Sequence, residues 1–215
     1  MIKIALISED NLVNYSLKHL VDQQPRFKIS HVLPTLDESK IKPLLAKRQI
    51  NLMIISVSLP KTDGLELLAQ LRGIAPRVPV LILSNNEEDE FLANFIRIGC
   101  KGCLDRHASV DDLLNAIEEI SAGRYVIPAK LQAVIKAHEQ PLPHERLSNR
   151  EFQVFLKFIQ RKPISTVARE LNVTTGAVSV FRSRVLKKLN FKSNADFIFY
   201  ALQHHLLVLP ASLPH

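Results

Sequence analysis

The chain has 215 residues, of which 47% are hydrophobic and 23% are charged, with two cysteines and a formal net charge of +7. This composition is typical of a soluble globular protein with one large or two ordinary domains, and it argues against a disordered chain or a coiled coil. No apolar run approaches the roughly 18–20 residues that a membrane span needs. The N-terminal segment contains Glu9 and Asp10 within its first ten residues, which argues against a signal peptide. Two cysteines fit a reducing compartment, so we expect a cytoplasmic protein.

Short apolar runs alternate with segments of helical spacing over residues 1–121. Strands are predicted at Ile2–Ile7, Lys28–Leu33, Asn51–Val57, Val80–Ser84 and Gly102–Leu104. Helices are predicted near 11–23, 37–48, 64–72, 88–97 and 109–121. Five repeats of strand then helix predict a doubly wound α/β domain, in which a five-stranded parallel sheet carries helices on both faces. The working residues of such a sheet lie at the carboxyl ends of its strands.

The pattern loosens between residues 122 and 146, where Gly123, Pro128, Pro141 and Pro143 interrupt it. One short helix is expected at Pro128–Glu139, in a segment that could dock on the first domain. We therefore interpret 122–146 as a linker between the first domain and a second domain at 147–215.

Residues 147–215 contain only helical patterns, and four helices are predicted at about 148–160, 163–171, 174–190 and 194–206. Ser148 and Glu151, three residues apart, form the sequence pattern of a capping box at the start of the first helix. Asn172 tolerates the left-handed conformation that ends a helix, and Thr174 or Thr175 can cap the third helix. Short helices joined by such turns predict an all-α, four-helix domain of the helix-turn-helix kind.

The positive charge of the chain is confined to this last third. Residues 147–215 hold ten Lys and Arg against three Asp and Glu, a balance of +7, which leaves 18 basic and 18 acidic residues in the rest. A neutral module joined to a basic one indicates a polyanionic partner for the basic module. Charge alone is equally compatible with a basic domain that is merely soluble.

The third helix of this domain has an apolar stripe and a polar face. The stripe that should pack on the preceding helix consists of Val178, Phe181, Val185 and Leu189. The polar face and its flanks consist of Ser179, Val180, Arg182, Ser183, Arg184 and Lys187. Small residues allow the backbone to approach base edges and cations neutralise phosphates, so this face suits the major groove of DNA. The alternative is an ordinary surface helix with a solvated basic face.

The last third resembles the LuxR-type helix-turn-helix domain. The shared residues are Leu147, Ser148, Arg150, Glu151, Val167, Ala168, Leu171, Val178, Val185, Leu186, Lys188, Leu189, Asn194 and Ala195. The resemblance implies binding to double-stranded DNA, with base-reading positions at Ser179, Val180 and Ser183. The full predicted contact set adds Thr174, Thr175, Arg182, Arg184, Lys187 and Lys188. Two positions depart from the family, because Arg161 stands where Gly is usual and Thr166 where Glu is usual.

Residues 1–121 resemble the receiver domain of two-component response regulators, and the whole chain resembles the NarL/FixJ type. The resemblance implies a flavodoxin-like fold and a phosphotransfer pocket, in which an acidic pair and an aspartate hold Mg²⁺ while the aspartate takes a phosphoryl group. Glu9 and Asp10 occupy the positions of the acidic pair, and Ser84 occupies that of the hydroxyl that grips phosphate.

Three positions of this pocket differ from the family. Ser56 replaces the phosphoacceptor aspartate, Arg106 replaces the phosphate-binding lysine and Cys103 replaces the switch aromatic. A carboxylate is ionised at pH 7, whereas a serine hydroxyl needs a general base before it can attack. With only Glu9 and Asp10 left, a Mg²⁺ site should be weak, so we expect no cofactor and an ion pair from Arg106 to one of these carboxylates. These differences predict a degenerate receiver that is not phosphorylated on aspartate.

Other uses of the pocket are less favoured. Ser56 could be the target of a serine kinase, although it ends a buried strand. Asp63 could be a displaced acceptor, although capping of the following helix explains it better, and Asp105 is expected to be exposed.

The spacing of Cys100 and Cys103 is that of redox and metal sites. Even with His107, these cysteines would supply three ligands at most, and no second pair is present. Buried packing thiols are therefore favoured over a redox or metal role.

The favoured hypothesis is a non-enzymatic transcription regulator that binds double-stranded DNA as a homodimer, since one small helix-turn-helix rarely supplies enough affinity alone. The receiver-like domain would then serve for dimerisation, or for binding a regulatory protein or small ligand. The alternatives are a phosphorylation-independent interaction module that antagonises another regulator, a regulator that senses redox state or a ligand, and a phosphorylation-competent regulator.

Overall fold

The computed structural model describes residues 1–35, 38–57, 65–66, 69–70, 73, 78–84, 89–137 and 141–207. Five parallel strands form one sheet in the order β2-β1-β3-β4-β5. The strands are β1 Ile2–Ile7, β2 Phe27–Leu33, β3 Leu52–Val57, β4 Val80–Ser84 and β5 Gly102–Asp105. The predicted parallel α/β fold is confirmed, with strand ends within one residue of the predicted ones.

Nine α-helices have both ends in the described part of the chain. They are α1 Asn11–Asp22, α2 Glu38–Ala46, α3 Asp89–Arg97, α4 Val110–Ser121, α5 Ala129–Ala137, α6 Asn149–Ile159, α7 Ile164–Glu170, α8 Thr175–Leu189 and α9 Asn194–Gln203. A 3-10 turn, Pro143–Arg146, precedes α6. Of the helix predicted at 64–72, Leu65, Glu66, Ala69 and Gln70 are described and are helical. Among the described residues, no helix is both long and apolar enough to cross a lipid bilayer.

The sheet core explains why the two central strands read as continuous apolar runs. Ile54 on β3 and Leu81 on β4 are fully buried, and α4 covers one face with Ile117 and Ile120. At the edge strand, a Cβ on Gly102 would lie 2.6 Å from the Ile120 side chain. This close approach favours glycine at the start of β5, because a larger residue would have to displace the end of the Ile120 side chain.

The chain divides into two compact units. The first comprises Met1–Leu59 and Ile74–Val134, and the second comprises Pro60–Gly73 and Ile135–His215. The predicted linker is thus shared, because Val126 pairs with Gly102 in the first unit while buried His144 bonds to the Tyr200 hydroxyl in the second. The inclusion of 60–73 in the second unit was not foreseen from the sequence.

The helix α6 is the centre of the second unit, and every residue from Glu151 to Ile159 is buried. Its apolar face packs on α8 and α9, with the Phe155 ring edge-on to Phe197 at 5.7 Å. Its polar face meets the described residues of the 65–73 segment, where the Gln153 amide donates to the Ala69 carbonyl oxygen at 3.5 Å. Both faces of α6 are therefore covered within this unit.

A buried ion cluster ties α6 to its neighbours. The Lys157 ammonium contacts the carboxylates of Glu66 and Glu170, and Glu66 also accepts hydrogen bonds from Gln70 and Gln160. The side chains of Lys157 and Glu66 are less than one-tenth exposed. Burial alone would lower the pKa of Lys157, but hydrogen bonds and attraction from Glu170 and Glu66 raise it overall. Lys157 therefore remains charged in the folded protein.

We predict that Lys157→Met lowers the free energy of unfolding of the second unit by about 3–5 kcal/mol, because Glu66 is left charged and buried. Glu66→Gln should cost less, since Lys157 keeps Glu170. Urea denaturation followed by circular dichroism measures both, and the double variant should regain most of the loss.

The matched control is Lys162→Met, which removes an ammonium 2.7 Å from the same Glu170 at a more exposed position. That change should cost less than about 1 kcal/mol. Additive losses in the double variant, with no coupling between positions 66 and 157, would contradict the buried pair.

Candidate nucleic-acid interface and receiver-like pocket

The residues of the predicted pocket lie at one edge of the sheet. Glu9 and Asp10 follow β1, Ser56 lies near the end of β3, Ser84 ends β4 and Arg106 follows β5. Because all five strands are parallel, these positions share the carboxyl edge. Ser84 is buried, Ser56 and Arg106 are half-buried, and Glu9 and Asp10 are exposed.

An ion pair joins two of these residues across the sheet edge. The Arg106 Nη2 atom lies 3.4 Å from Asp10 Oδ2, although β3 and β4 separate the strands that carry them. The other oxygen of Asp10 caps α1, accepting from the amides of Leu12 at 3.0 Å and Val13 at 3.1 Å. The Val13 hydrogen bond, with smaller help from Leu12 and Arg106, holds the pKa of Asp10 below its usual value. Of the two carboxylates proposed from sequence, Asp10 is the one that pairs with Arg106.

The fit of this edge to Mg²⁺ is poor. Mg²⁺ needs several oxygen ligands in octahedral geometry, but both oxygens of Asp10 already serve α1 and Arg106. A serine hydroxyl at position 56 adds no negative charge. Within the described ranges, no three His, Cys, Asp or Glu side chains are grouped so that they could hold a metal ion. Asp63 lies outside the described residues, and Asp105 is exposed as expected and accepts from the His107 amide.

Both cysteines are buried packing residues. Cys100 is fully buried and its thiol lies 2.9 Å from the Gly102 carbonyl oxygen, to which it donates. Cys103 is 1% exposed, and burial, with repulsion from Asp105, raises the pKa of its thiol to about 12. A thiolate is the reactive form of cysteine, so this environment opposes redox chemistry and metal binding at Cys103.

In the second unit, α8 has the predicted division into two faces. Val178, Val185 and Leu189 are buried against α6 and α7, and Phe181 is half-buried. The Thr174 hydroxyl caps the helix by accepting from the Ala177 amide at 3.1 Å. The outward residues are Thr175, Ser179, Val180, Ser183, Arg184, Lys187 and Lys188. Small residues therefore occupy the first half of the exposed face and cations its second half.

The four predicted cations of α8 do not behave alike. Lys188 Nζ lies 2.6 Å from Glu151 Oε2, and Arg182 Nε donates to Asn194 Oδ1 at 2.8 Å. Arg184 and Lys187 are exposed and make no ion pair within the described part of the chain. Two of the cations are thus engaged inside the unit, and two point to solvent.

The partner of Lys188 is also the capping-box residue. Burial would raise the pKa of Glu151, but the Lys188 ammonium and the amide and hydroxyl of Ser148 lower it overall. Glu151 thereby joins the start of α6 to the last turn of α8. The capping box was predicted from the sequence, but its link to Lys188 was not, because no short-range pattern relates positions 37 apart.

Comparisons with known proteins match both parts of the chain. The family model for the response regulator receiver domain matches residues 4–118, and that for bacterial regulatory proteins of the luxR family matches residues 145–201. The Fimbriae Z protein of Salmonella typhimurium is 26% identical over 207 residues, covering 95% of this chain and 98% of its own. The response regulator GacA of Pseudomonas protegens is 25% identical over 211 residues, covering 96% and 98%.

Solved structures agree in fold. RcsB from Salmonella enterica serovar Typhimurium, bound to promoter rprA with the phosphomimetic BeF3⁻, matches with a TM-score of 0.58 at 18% identity. The match covers 93% of this chain and 97% of RcsB. A second structure, of two RcsB dimers bound to two parallel DNAs, gives a TM-score of 0.54 at 17% identity and covers 94% and 98%.

We predict that neither cysteine reacts with a thiol reagent such as DTNB while the first unit is folded, because both are buried and Cys103 is protonated at neutral pH. Both thiols should react within the mixing time in guanidinium chloride. Fast labelling of the native protein at neutral pH would revive the redox hypothesis.

Proposed function

The chain belongs to the response regulators, with a receiver domain followed by a LuxR-family domain, and from this premise we propose that it is a transcription regulator that binds double-stranded DNA through α8. Relatives carry compatible names, since the relative from Pseudomonas protegens is named response regulator GacA. The domain boundaries we propose remain 1–121, 122–146 and 147–215.

The observation that carries this proposal is the exposed face of α8. It presents Ser179, Val180 and Ser183 beside Arg184 and Lys187, and no acidic residue occurs between 171 and 195. Side chains this small let the helix backbone approach base edges, and the two cations lie within reach of flanking phosphates. An exposed valine, half accessible at position 180, suits contact with a thymine methyl group.

We further propose that the protein acts in the cytoplasm as a homodimer, without enzymatic activity. Paired half-sites suit a helix-turn-helix protein because one recognition helix gives too little affinity for specific binding. RcsB, which shares the fold, is described as dimeric on DNA. The receiver-like domain would supply subunit contacts, or a site for a regulatory protein or small ligand.

We also propose that DNA binding does not depend on aspartyl phosphorylation. Ser56 stands at the position of the acceptor, and the pair between Arg106 and Asp10 occupies a carboxylate that Mg²⁺ would need. A phosphoryl group can be added to a receiver and removed from it, but the guanidinium of Arg106 is a permanent part of the chain. The charge of this pocket therefore cannot be switched by phosphorylation. Control would then come from protein concentration, dimerisation or another ligand.

Two neighbouring lysines test the DNA-binding surface. We expect Lys187→Ala to weaken binding to a short mixed-sequence duplex and to lower the slope of log affinity against log salt by about 0.9 per subunit, with unchanged thermal stability. Lys188→Ala should lower thermal stability, because Glu151 loses its partner.

Fluorescence anisotropy over a salt series and thermal denaturation measure these two effects separately. A wild-type protein with no salt-dependent DNA affinity would refute the proposed function and favour the protein-interaction alternative. Equal effects of Lys187→Ala and Lys188→Ala on the salt slope would contradict the assignment of Lys187 to DNA and of Lys188 to Glu151.

Reconstitution tests the absence of phosphorylation. The wild type should take up no phosphoryl group from acetyl phosphate with Mg²⁺. The double variant Ser56→Asp with Arg106→Lys should restore the third carboxylate and release Asp10, so that Mg²⁺ binding and an alkali-labile phosphoryl group appear. Ser56→Asp alone is the control and should be poorly labelled, because Arg106 still holds Asp10. Labelling of the wild type, detected by intact mass, would overturn the proposal.

A further inference from the structure

A basic cavity lies beside the recognition helix, outside the predicted contact set. It has a volume of about 390 Å³ and opens between the end of α6, the start of α7 and the start of α9. Arg161, Lys162 and Asn194 line it, and none of its described lining residues is acidic. Asn194 accepts from Arg182 of α8, so the cavity adjoins the helix that faces DNA.

The cations around this cavity differ in their engagement. Lys162 Nζ lies 2.7 Å from the Glu170 carboxylate. Arg182 donates to Asn194, and its guanidinium carbon lies over the Phe158 ring, 5.8 Å from the ring centre. Arg161 is exposed and has no ion pair within the described residues. Its charge is therefore available to an anion that approaches from solvent.

The helix-turn-helix geometry indicates which anion would approach Arg161, namely a phosphate of the DNA backbone. In this arrangement the second helix enters the major groove while the first crosses the sugar-phosphate backbone. Here the first helix is α7, which begins three residues after Arg161, and the second is α8. Building on the proposed DNA binding, we propose that Arg161 contacts a DNA phosphate at the corner between α6 and α7.

The backbone conformation at Arg161 allows a substitution that removes the phosphate contact without destabilising the fold. Arg161 follows the C-terminus of α6 with a φ of 58°. Its amide donates to the Phe158 carbonyl oxygen, and the Lys162 amide donates to the Lys157 carbonyl oxygen. This left-handed helix ending favours glycine over any side chain. Replacing Arg161 by glycine should therefore relieve strain and remove the charge at once, with opposite effects on stability and on DNA binding.

The chain provides a matched control in the first unit. Arg48 has a φ of 50°, is exposed, and follows α2 with the same two hydrogen bonds, from its own amide to Leu45 and from the Gln49 amide to Leu44. Arg48→Gly thus makes the same backbone and charge change in the unit that does not carry the proposed DNA-binding helix.

The experiment compares Arg161→Gly, Arg161→Lys and Arg48→Gly in the full chain, on the same mixed-sequence duplex. Both glycine variants should raise the melting temperature of their own unit by about 2–4 °C. Arg161→Gly should weaken binding roughly eightfold per subunit at 0.1 M salt and lower the salt slope by about 0.9, the contribution of one phosphate contact. Arg161→Lys should keep the slope, and Arg48→Gly should keep both affinity and slope.

The outcomes separate this inference from the function on which it rests. Wild-type binding with an unchanged slope in Arg161→Gly overturns the phosphate contact and leaves DNA binding by α8 standing. An equal loss of affinity in Arg48→Gly overturns it as well, because net charge would then explain both losses. Absence of salt-dependent binding in the wild type refutes the proposed function itself.

Discussion

The second unit is organised by the burial of α6 from Glu151 to Ile159. The charged side chains in this buried stretch have to be paired within the protein, because an unpaired buried charge is strongly destabilising. Glu151 is paired with Lys188 and Lys157 with Glu66 and Glu170. These pairings fix the neighbours of α6, since each partner must lie where the buried charge is. An ion pair of this kind adds little net stability over apolar packing, but the loss of one partner is strongly destabilising because the other charge is left buried and unpaired.

The need to pair buried charges also separates the cations of α8 into those that bind within the unit and those that are exposed. Lys188 is paired with Glu151 although its side chain stays partly exposed, while Lys187, one residue earlier, is exposed and makes no ion pair within the described residues. The net charge therefore overstates the number of cations that are available to bind a polyanion. Of the +7 in the last third, part neutralises buried acids and part is exposed. The proposed interface gains Arg161 only when the charges are sorted by partner, a step for which residue type and helical spacing are insufficient.

What the sequence could predict follows from the range of the interactions involved. The strands, the Ser148 capping box and the left-handed Asn172 are set by neighbours within four residues, and the structure has them as predicted. The pairing of Arg106 with Asp10 joins positions 96 apart, and it was foreseen as one of two options only through the family resemblance. The contacts of Lys157 with Glu66 and of Arg182 with Asn194 were missed, because local patterns carry no information about distant partners.

The carboxyl edge of the sheet bears on how such a protein could be controlled. A ligand shifts an equilibrium between two forms only by as much as it binds one form better than the other, and in a working receiver the phosphoryl group provides that difference. Arg106 is part of the chain, so the positive charge that it places beside Asp10 is not added or removed between conditions and provides no such difference. Under the proposed function, the remaining variable is mass action: dimerisation couples DNA occupancy to protein concentration, and any ligand of the receiver-like domain would act by changing the dimerisation constant.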